Sequence, residues 1–256
     1  YGLSDPLTEE FIHDRISFRK FLDIKEDDNI PDETTICKFR NALIKNNLLE
    51  SIFKEVKNSM IEKNLILNEG TLVDATLIHS SEPKKRKDEN GKTISNKAND
   101  EDASYTSKRG RKHHGYKIHI ATDTNSIIKE VITTTAKTHD STQFDTLTKD
   151  ETKAVFADSG YMSQERKRTL RSKGIFNGIT ERRVRGQSKL RTKQSKNNTK
   201  FSKVRALVEL PFAFIKKLMK YTETKYLGLH KNSQHVFLIA AAYNLRRMPN
   251  LIQRCE

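Results

Sequence analysis

The chain has 256 residues, 34% of them hydrophobic, with 48 Lys and Arg against 33 Asp and Glu, a formal net charge of 48 − 33 = +15. That is length and apolar content enough for one large domain, or for a core with a small appendage. With no apolar run of 18 residues and no signal-like start, neither a membrane span nor secretion is expected, and the two cysteines, Cys37 and Cys255, are too far apart for metal-ligand spacing and read as free thiols.

In chain order, residues 7–22 predict a helix with Phe11, Ile12, Ile16, Phe18 and Phe21 on its apolar positions. Pro31-Asp32 punctuates the chain, and Asp32 is placed to cap a second helix carrying Ile36, Phe39, Leu43 and Ile44. A third helix runs from Leu48 to Ile61, so a helical module of residues 1–64 is expected, ahead of a larger domain of residues 65–256. From Leu65 to Ile78 the pattern turns to strand, with Gly70 allowing a turn or bulge. Residues 80–112 are polar, with few apolar anchors, and read as a loop. Two strands follow, Tyr116 to Ala121 and Ile127 to Ile132, joined through Asp123-Thr124-Asn125-Ser126, residues suited to a hairpin turn. Next come a short helix near 142–148, an apolar strand from Ala154 to Ala157, a helix around 163–173 and a strand from Ile175 to Ile179. The stretch 181–200 reads as loop, before a helix over about 202–220 and a last one from Gln234 to Arg247.

Charge is segregated along this order. Residues 1–36 hold ten acids and four bases, a net of 4 − 10 = −6, while residues 181–205 hold ten bases and one acid, a net of 10 − 1 = +9. A concentrated basic stretch points to a polyanionic partner, because each neutralised phosphate releases condensed counterions. Arg182, Arg183 and Arg185 lie in that stretch, and Lys117 belongs to a second basic cluster with Lys108, Arg109, Arg111 and Lys112. Either cluster on its own could be a solvated loop; taken with the three acids described next, contact with a DNA backbone is the expectation for both.

Three acids stand out against this background. Asp74 sits in Leu72-Val73-Asp74-Ala75-Thr76, Asp158 in Ala157-Asp158-Ser159-Gly160-Tyr161, and Glu209 in Val208-Glu209-Leu210-Pro211-Phe212. A carboxylate in an apolar run is costly unless it is paired or holds a cation. Together the three suit a shared magnesium site, since Mg²⁺ prefers a few carboxylate oxygens and keeps several waters. Asp123 and Asp140 read as turn residues and Asp32 as a cap. His113, His114 and His119 lack Asp or Cys partners at zinc spacing, and no nucleophile-elbow pattern surrounds Ser159. Tyr116 and Tyr161 could stack on a displaced base or pack in the core; the residues alone do not decide.

These stretches, with Ile16-Ser17-Phe18-Arg19-Lys20-Phe21, Pro31-Asp32-Glu33-Thr34-Thr35-Ile36, Glu69-Gly70-Thr71 and Tyr226-Leu227-Gly228-Leu229, occur in an order that resembles the IS5 branch of the IS4-like bacterial insertion-sequence transposases. The group's helix signature places Tyr, Arg, Glu and Lys at set intervals. Arg205, Glu209 and Lys216 fit it, and Ser202 stands at the Tyr position. The resemblance implies a ribonuclease-H-like α/β domain, a mixed sheet flanked by helices, which agrees with the order of elements above. It implies that Asp74, Asp158 and Glu209 are both catalytic and metal-binding, Asp74 bridging two Mg²⁺ ions, with Mn²⁺ as an alternative. On an arbitrary helix, Arg205 and Lys216 would form salt bridges with Glu209. Under the resemblance they become phosphate-positioning groups. Counting 100° per residue puts all three on one face, and Pro211 predicts a kink after Glu209. The implied activity is DNA cleavage at element ends and strand transfer into target DNA in a bacterial cytoplasm, with no membrane and with a homo-oligomer in the DNA complex left open. A catalytically inactive, DNA-binding remnant is the alternative. The chain opens at Tyr1 in mid-pattern, so further upstream residues that help read the ends are expected.

Overall fold

The computed structural model describes residues 1–83, 85–87, 93–95, 99–108, 110–183 and 186–255. Its first helices are α1 (Asp5–Asp14) and α2 (Ile16–Leu22). The single helix predicted over 7–22 is broken at Arg15, which is extended at φ −115° and ψ 109°. The bend turns Phe18 edge-on to Phe11 at 5.4 Å and lays the Arg15 guanidinium on the Phe11 ring. Helix α3 (Glu33–Lys45) starts where expected, because the Asp32 carboxylate accepts from the Thr35 N–H at 2.6 Å. Helix α4 (Leu48–Glu62) buries Leu49, Phe53 and Met60 and packs on the last helix, α9 (Leu229–Cys255), which is longer than its apolar pattern indicated.

Six strands form the central sheet: β1 (Thr71–His79), β4 (Ser104–Lys108), β5 (Arg111–Thr122), β6 (Ile128–Thr135), β7 (Ala154–Ala157) and β8 (Phe176–Asn177). Strands β2 (Lys85–Lys87) and β3 (Thr93–Ser95) make a separate antiparallel pair. Strand β1 pairs antiparallel with β5, which in turn pairs antiparallel with both β4 and β6; on its other side β1 runs parallel to β7, and β7 to β8. This is the mixed sheet expected of the ribonuclease-H-like order.

Side chains alternate across a strand, so β1 sends Leu72 to one face and Val73 to the other. Leu72 joins Phe53, Ile118, Ile120, Val208, Phe212 and Ile239, a core shared with α4, α9 and α8 (Glu209–Ala213). Val73 joins Phe144, Leu147, Tyr161 and Leu170, beneath α5 (Phe144–Leu147) and α6 (Gln164–Ser172).

Part of the stretch 80–112 read as loop is strand. Its anchors are polar: buried Asp100 accepts from the Tyr116 hydroxyl at 2.7 Å and the Gly228 N–H at 3.1 Å, and Asp102 accepts from Leu229 N–H at 2.8 Å, at the start of α9. Gly115 of β5 pairs with His79 at the end of β1. A Cβ there would stand 2.1 Å from the Ile78 carbonyl oxygen.

Residues 192–205, read as mostly loop, form helix α7 (Thr192–Arg205). The Gln194 side chain accepts from Arg191 N–H at 3.1 Å, and its amide nitrogen donates to Glu181. Asn198 brackets Glu181, accepting from its N–H at 2.9 Å and donating to its carbonyl at 3.0 Å. The continuous helix predicted over 202–220 is absent. After Arg205 the chain tightens into a 3₁₀ turn (Ala206–Val208), returns to α8, and widens into a π turn (Phe214–Leu218). Pro211 has no N–H to offer the Leu207 carbonyl four residues back; that carbonyl accepts from the Ser126 hydroxyl at 2.9 Å instead.

Candidate active site

Asp74 occupies the middle of β1, opposite Ile120 of β5. In the parallel pair Val73 lies opposite Ala157, so Asp74 and Asp158 each stand one residue beyond a matched position. Asp74 shares the parity of Leu72, and Asp158 that of Phe156, which packs against the same core. Both therefore belong to the face covered by α8, whose first residue is Glu209. The buried Val208 fixes the preceding 3₁₀ turn against β1 and β5.

Burial pushes the Asp74 carboxyl up to about 6, and the negative charges of Asp158 and Glu209 add to the rise. The Ala75 N–H and the Arg205 guanidinium oppose it. The Ala75 amide donates to one carboxylate oxygen at 2.8 Å, and Arg205 meets the other at 2.5 Å. This pair is largely sheltered, the side chains being 16% and 26% exposed for Asp74 and Arg205. Asp158 caps the turn Ser159–Tyr161, accepting from the Gly160 N–H at 2.7 Å. The sequence thus places Asp74 and Asp158 on neighbouring internal strands, on the face that α8 and Glu209 cover, with an arginine as counterion to Asp74.

The interrupted helix makes a count of 100° per residue inapplicable between Arg205 and Lys216. Arg205 turns to Asp74. Lys216, half-buried in the π turn, has its ammonium pushed below the usual lysine value by burial and by nearby Lys108, while Glu209 pulls the other way. Lys216 is therefore within electrostatic reach of Glu209, without a direct contact between them among the described residues. Lys117 faces inward: its ammonium contacts Asp140 at 2.8 Å and the Thr138 carbonyl at 2.7 Å. Arg182 donates to the Ser159 carbonyl at 2.6 Å, one residue from Asp158, and Arg183 to the Ser188 carbonyl at 3.0 Å. Arg185 and Arg109 lie outside the described residues.

The competing acids have structural partners. Asp123 is fully buried in its turn, accepting from the Leu67 and Ile127 N–H groups, each at 2.8 Å. Tyr116 and Tyr161 are both buried, which favours packing over base stacking for either. Buried His119 shares a hydrogen with Thr134 at 2.8 Å, and burial lowers its pKa to about 4. Nothing in the local pattern marks Glu181 as the tie between α7 and the segment after Asp158. Gln194 and Asn198, four apart on one helix face, were the only available signal.

Residues 67–245 match the transposase DDE domain family. The chain belongs to that family. It is therefore a DNA transposase, an enzyme of the DDE type, and Asp74, Asp158 and Glu209 all fall within the matched region. Residues 1–42 match a second family, described as a transposase domain (DUF772). No solved structure matches the chain. DDE transposases bind DNA and generally use divalent metal ions. In this transposase, no three His, Cys, Asp or Glu side chains among the described residues lie together in a metal-binding cluster. The donor chemistry nonetheless fits a hard cation: the charges of Asp158 and Glu209 both act on Asp74, and the Arg205 guanidinium stands in for positive charge there. No helix among the described residues is long and apolar enough to cross a membrane.

Proposed function

We propose that Asp74, Asp158 and Glu209 are the metal-binding and catalytic carboxylates of this transposase, that Mg²⁺ is the ion with Mn²⁺ as a substitute, and that the enzyme belongs to the IS5 branch of insertion-sequence transposases. The observation that carries this is the placement of Asp74 and Asp158 beside one another on parallel strands, with Glu209 close enough for its charge to act on Asp74. Residues 65–256 form the catalytic domain and residues 1–64 a helical accessory module. The substrates are DNA at the element's ends and then target DNA, in a bacterial cytoplasm at the nucleoid.

When bound, divalent ions supply Lewis-acid charge for in-line displacement at phosphorus. Asp74, Asp158 and Glu209 would hold them. Asp74 is in the state such a site needs only once deprotonated, and so above about pH 6. Arg205, released from Asp74, becomes a guanidinium able to grip a phosphate in a bidentate manner. Lys216 adds a half-desolvated ammonium on the Glu209 side. Arg182 and Arg183 contact the backbone of DNA without reading bases, whereas Lys117, held by Asp140, orients the segment after β6 rather than the DNA. One site serves both reactions, since hydrolysis and 3′-hydroxyl attack are each displacements at phosphorus. The intact acids leave nothing that favours an inactive remnant.

A metal-dependent assay with intact and pre-cut element ends tests this. Asp158→Ala and Glu209→Ala should each abolish cleavage and strand transfer while retaining DNA affinity. A variant with near-normal turnover would remove that residue from the set.

A further inference from the structure

An open groove of about 760 Å³ runs between α6, the edge strand β8 and helix α7. Its floor is aromatic. Phe176, at the sheet edge, is 53% exposed, and meets Phe201 of α7 edge-on at 5.7 Å and 84°. Phe156 supports both rings from below, at 6.0 and 6.1 Å. An exposed phenylalanine held by two others is a rigid apolar surface that the described residues leave half open.

The rim has the opposite character. Arg171 and Lys200 line the groove from α6 and α7, both are exposed, and neither makes an ion pair among the described residues. The one acid on the rim, Glu181, is already taken by Gln194 and Lys167. Asn197, also on α7, adds a half-exposed amide with no side-chain partner among the described residues. A flat ring, two free cations and a free amide match the three parts of a nucleotide: base face, phosphate and base edge. They match a protein partner less well, because a purely apolar contact would leave both cations unpaired.

The groove also connects to the site. Helix α7 forms one wall and ends at Arg205, which touches Asp74, while Glu181 at the groove's end is followed by Arg182, tied to Ser159 beside Asp158. We propose that this groove binds an unpaired nucleotide of the DNA, stacked on Phe176, with its phosphates held by Arg171 and Lys200. The proposal deepens the DNA-binding activity of the chain and supposes that activity. It assigns to the β8 edge a preference for single-stranded DNA flanking the duplex held at the carboxylates.

The test is binding by the full chain, without divalent metal, to a blunt duplex and to the same duplex bearing a three-nucleotide unpaired thymidine tail. A 2-aminopurine in the tail reports stacking through its fluorescence. The wild type should bind the tailed duplex more tightly and quench the 2-aminopurine. Phe176→Ala should lose roughly tenfold in affinity for the tailed duplex and abolish the quenching, with blunt-duplex affinity unchanged. Phe176→Tyr should restore both. Arg171→Ala should weaken binding of the tailed duplex only, and more so at low salt. Blunt-duplex binding doubles as the check that each variant is folded. Equal affinity of the wild type for the two duplexes, or an equal loss on both with Phe176→Ala, overturns the groove assignment while leaving DNA binding intact. Absence of binding to either duplex overturns both.

Discussion

The centre of β1 and the turn that joins β5 to β6 each bury an aspartate, and burial drives both carboxyls to about 6. They differ in what compensates them. Asp123 is satisfied by backbone amides of Leu67 and Ile127, groups fixed by the fold and close to it in the chain or in space. Asp74 has one amide, its neighbour's, and otherwise depends on the tip of a long arginine 131 residues away. A carboxylate locked by amides stabilises a turn and can do little else. One held by a guanidinium can exchange that partner for another cation. Burial is common to both acids; what separates them is whether the compensating group is fixed backbone or a side chain that another cation can replace.

Alanine at each position should break the comparison most visibly. Asp74→Ala is expected to lower cleavage and strand transfer by roughly 10³-fold or more while folding normally. Asp123→Ala should retain turnover if folded, but strand the buried Ile127 N–H and the part-buried Leu67 N–H and cost about 1–3 kcal/mol in denaturant unfolding. Equal activity of the two variants would erase the distinction.

Titration sharpens it further. Each carboxyl rises from 3.8 in the unfolded chain to about 6 in the folded one, so the folded state holds an extra proton between those values. Stability conferred by each group therefore falls as pH rises from about 4 to about 6, by up to about 1.4 kcal/mol per pH unit, and the cost is complete above that window. Subtracting the pH profile of Asp74→Asn or Asp123→Asn from that of the wild type should expose this slope. Flat differences for both would contradict the burial argument.

The counter-group itself gives a smaller effect. At pH 8, where Asp74 is ionised, Arg205→Gln removes the resident cation and should tighten Mn²⁺ binding severalfold in calorimetry, with the Asp123 turn unaffected. Weaker Mn²⁺ binding would mean that Arg205 supports the site rather than competing for it. Smallest of all is Ser126→Ala, next to Asp123. The Leu207 carbonyl would lose its donor, at about 1 kcal/mol, and the loss should register in thermal unfolding before it registers in turnover.

Much of this was legible in the chain. Asp74 and Asp158 stood out because apolar strands advertise a misplaced charge, and Asp32 and Asp123 because caps and turns are local. The unread parts depend on distant partners. Helix α7 fully buries none of its residues and so carries no core-facing stripe; side-chain amides reaching Glu181 hold it in place. Pro211 signals the lost helical hydrogen bond near Glu209, but the donor that replaces it, Ser126, lies more than eighty residues upstream, and the inward turn of Lys117 follows from Asp140 across a strand. No window of sequence contains both halves of such contacts.

The register of β1 against β7 has a genetic consequence. Substitutions along Thr71–Asp74 change one side chain at a time, but gain or loss of a single codon within that stretch, with Thr71 still opposite Val155, would invert the parity of all that follows. Asp74 would then point into the apolar layer around Phe144 and Leu147, on the side of the sheet away from Glu209. A lineage of these elements can therefore drift by point mutation in β1 far more freely than by one-codon insertion or deletion, and copies carrying such a change should be found immobile.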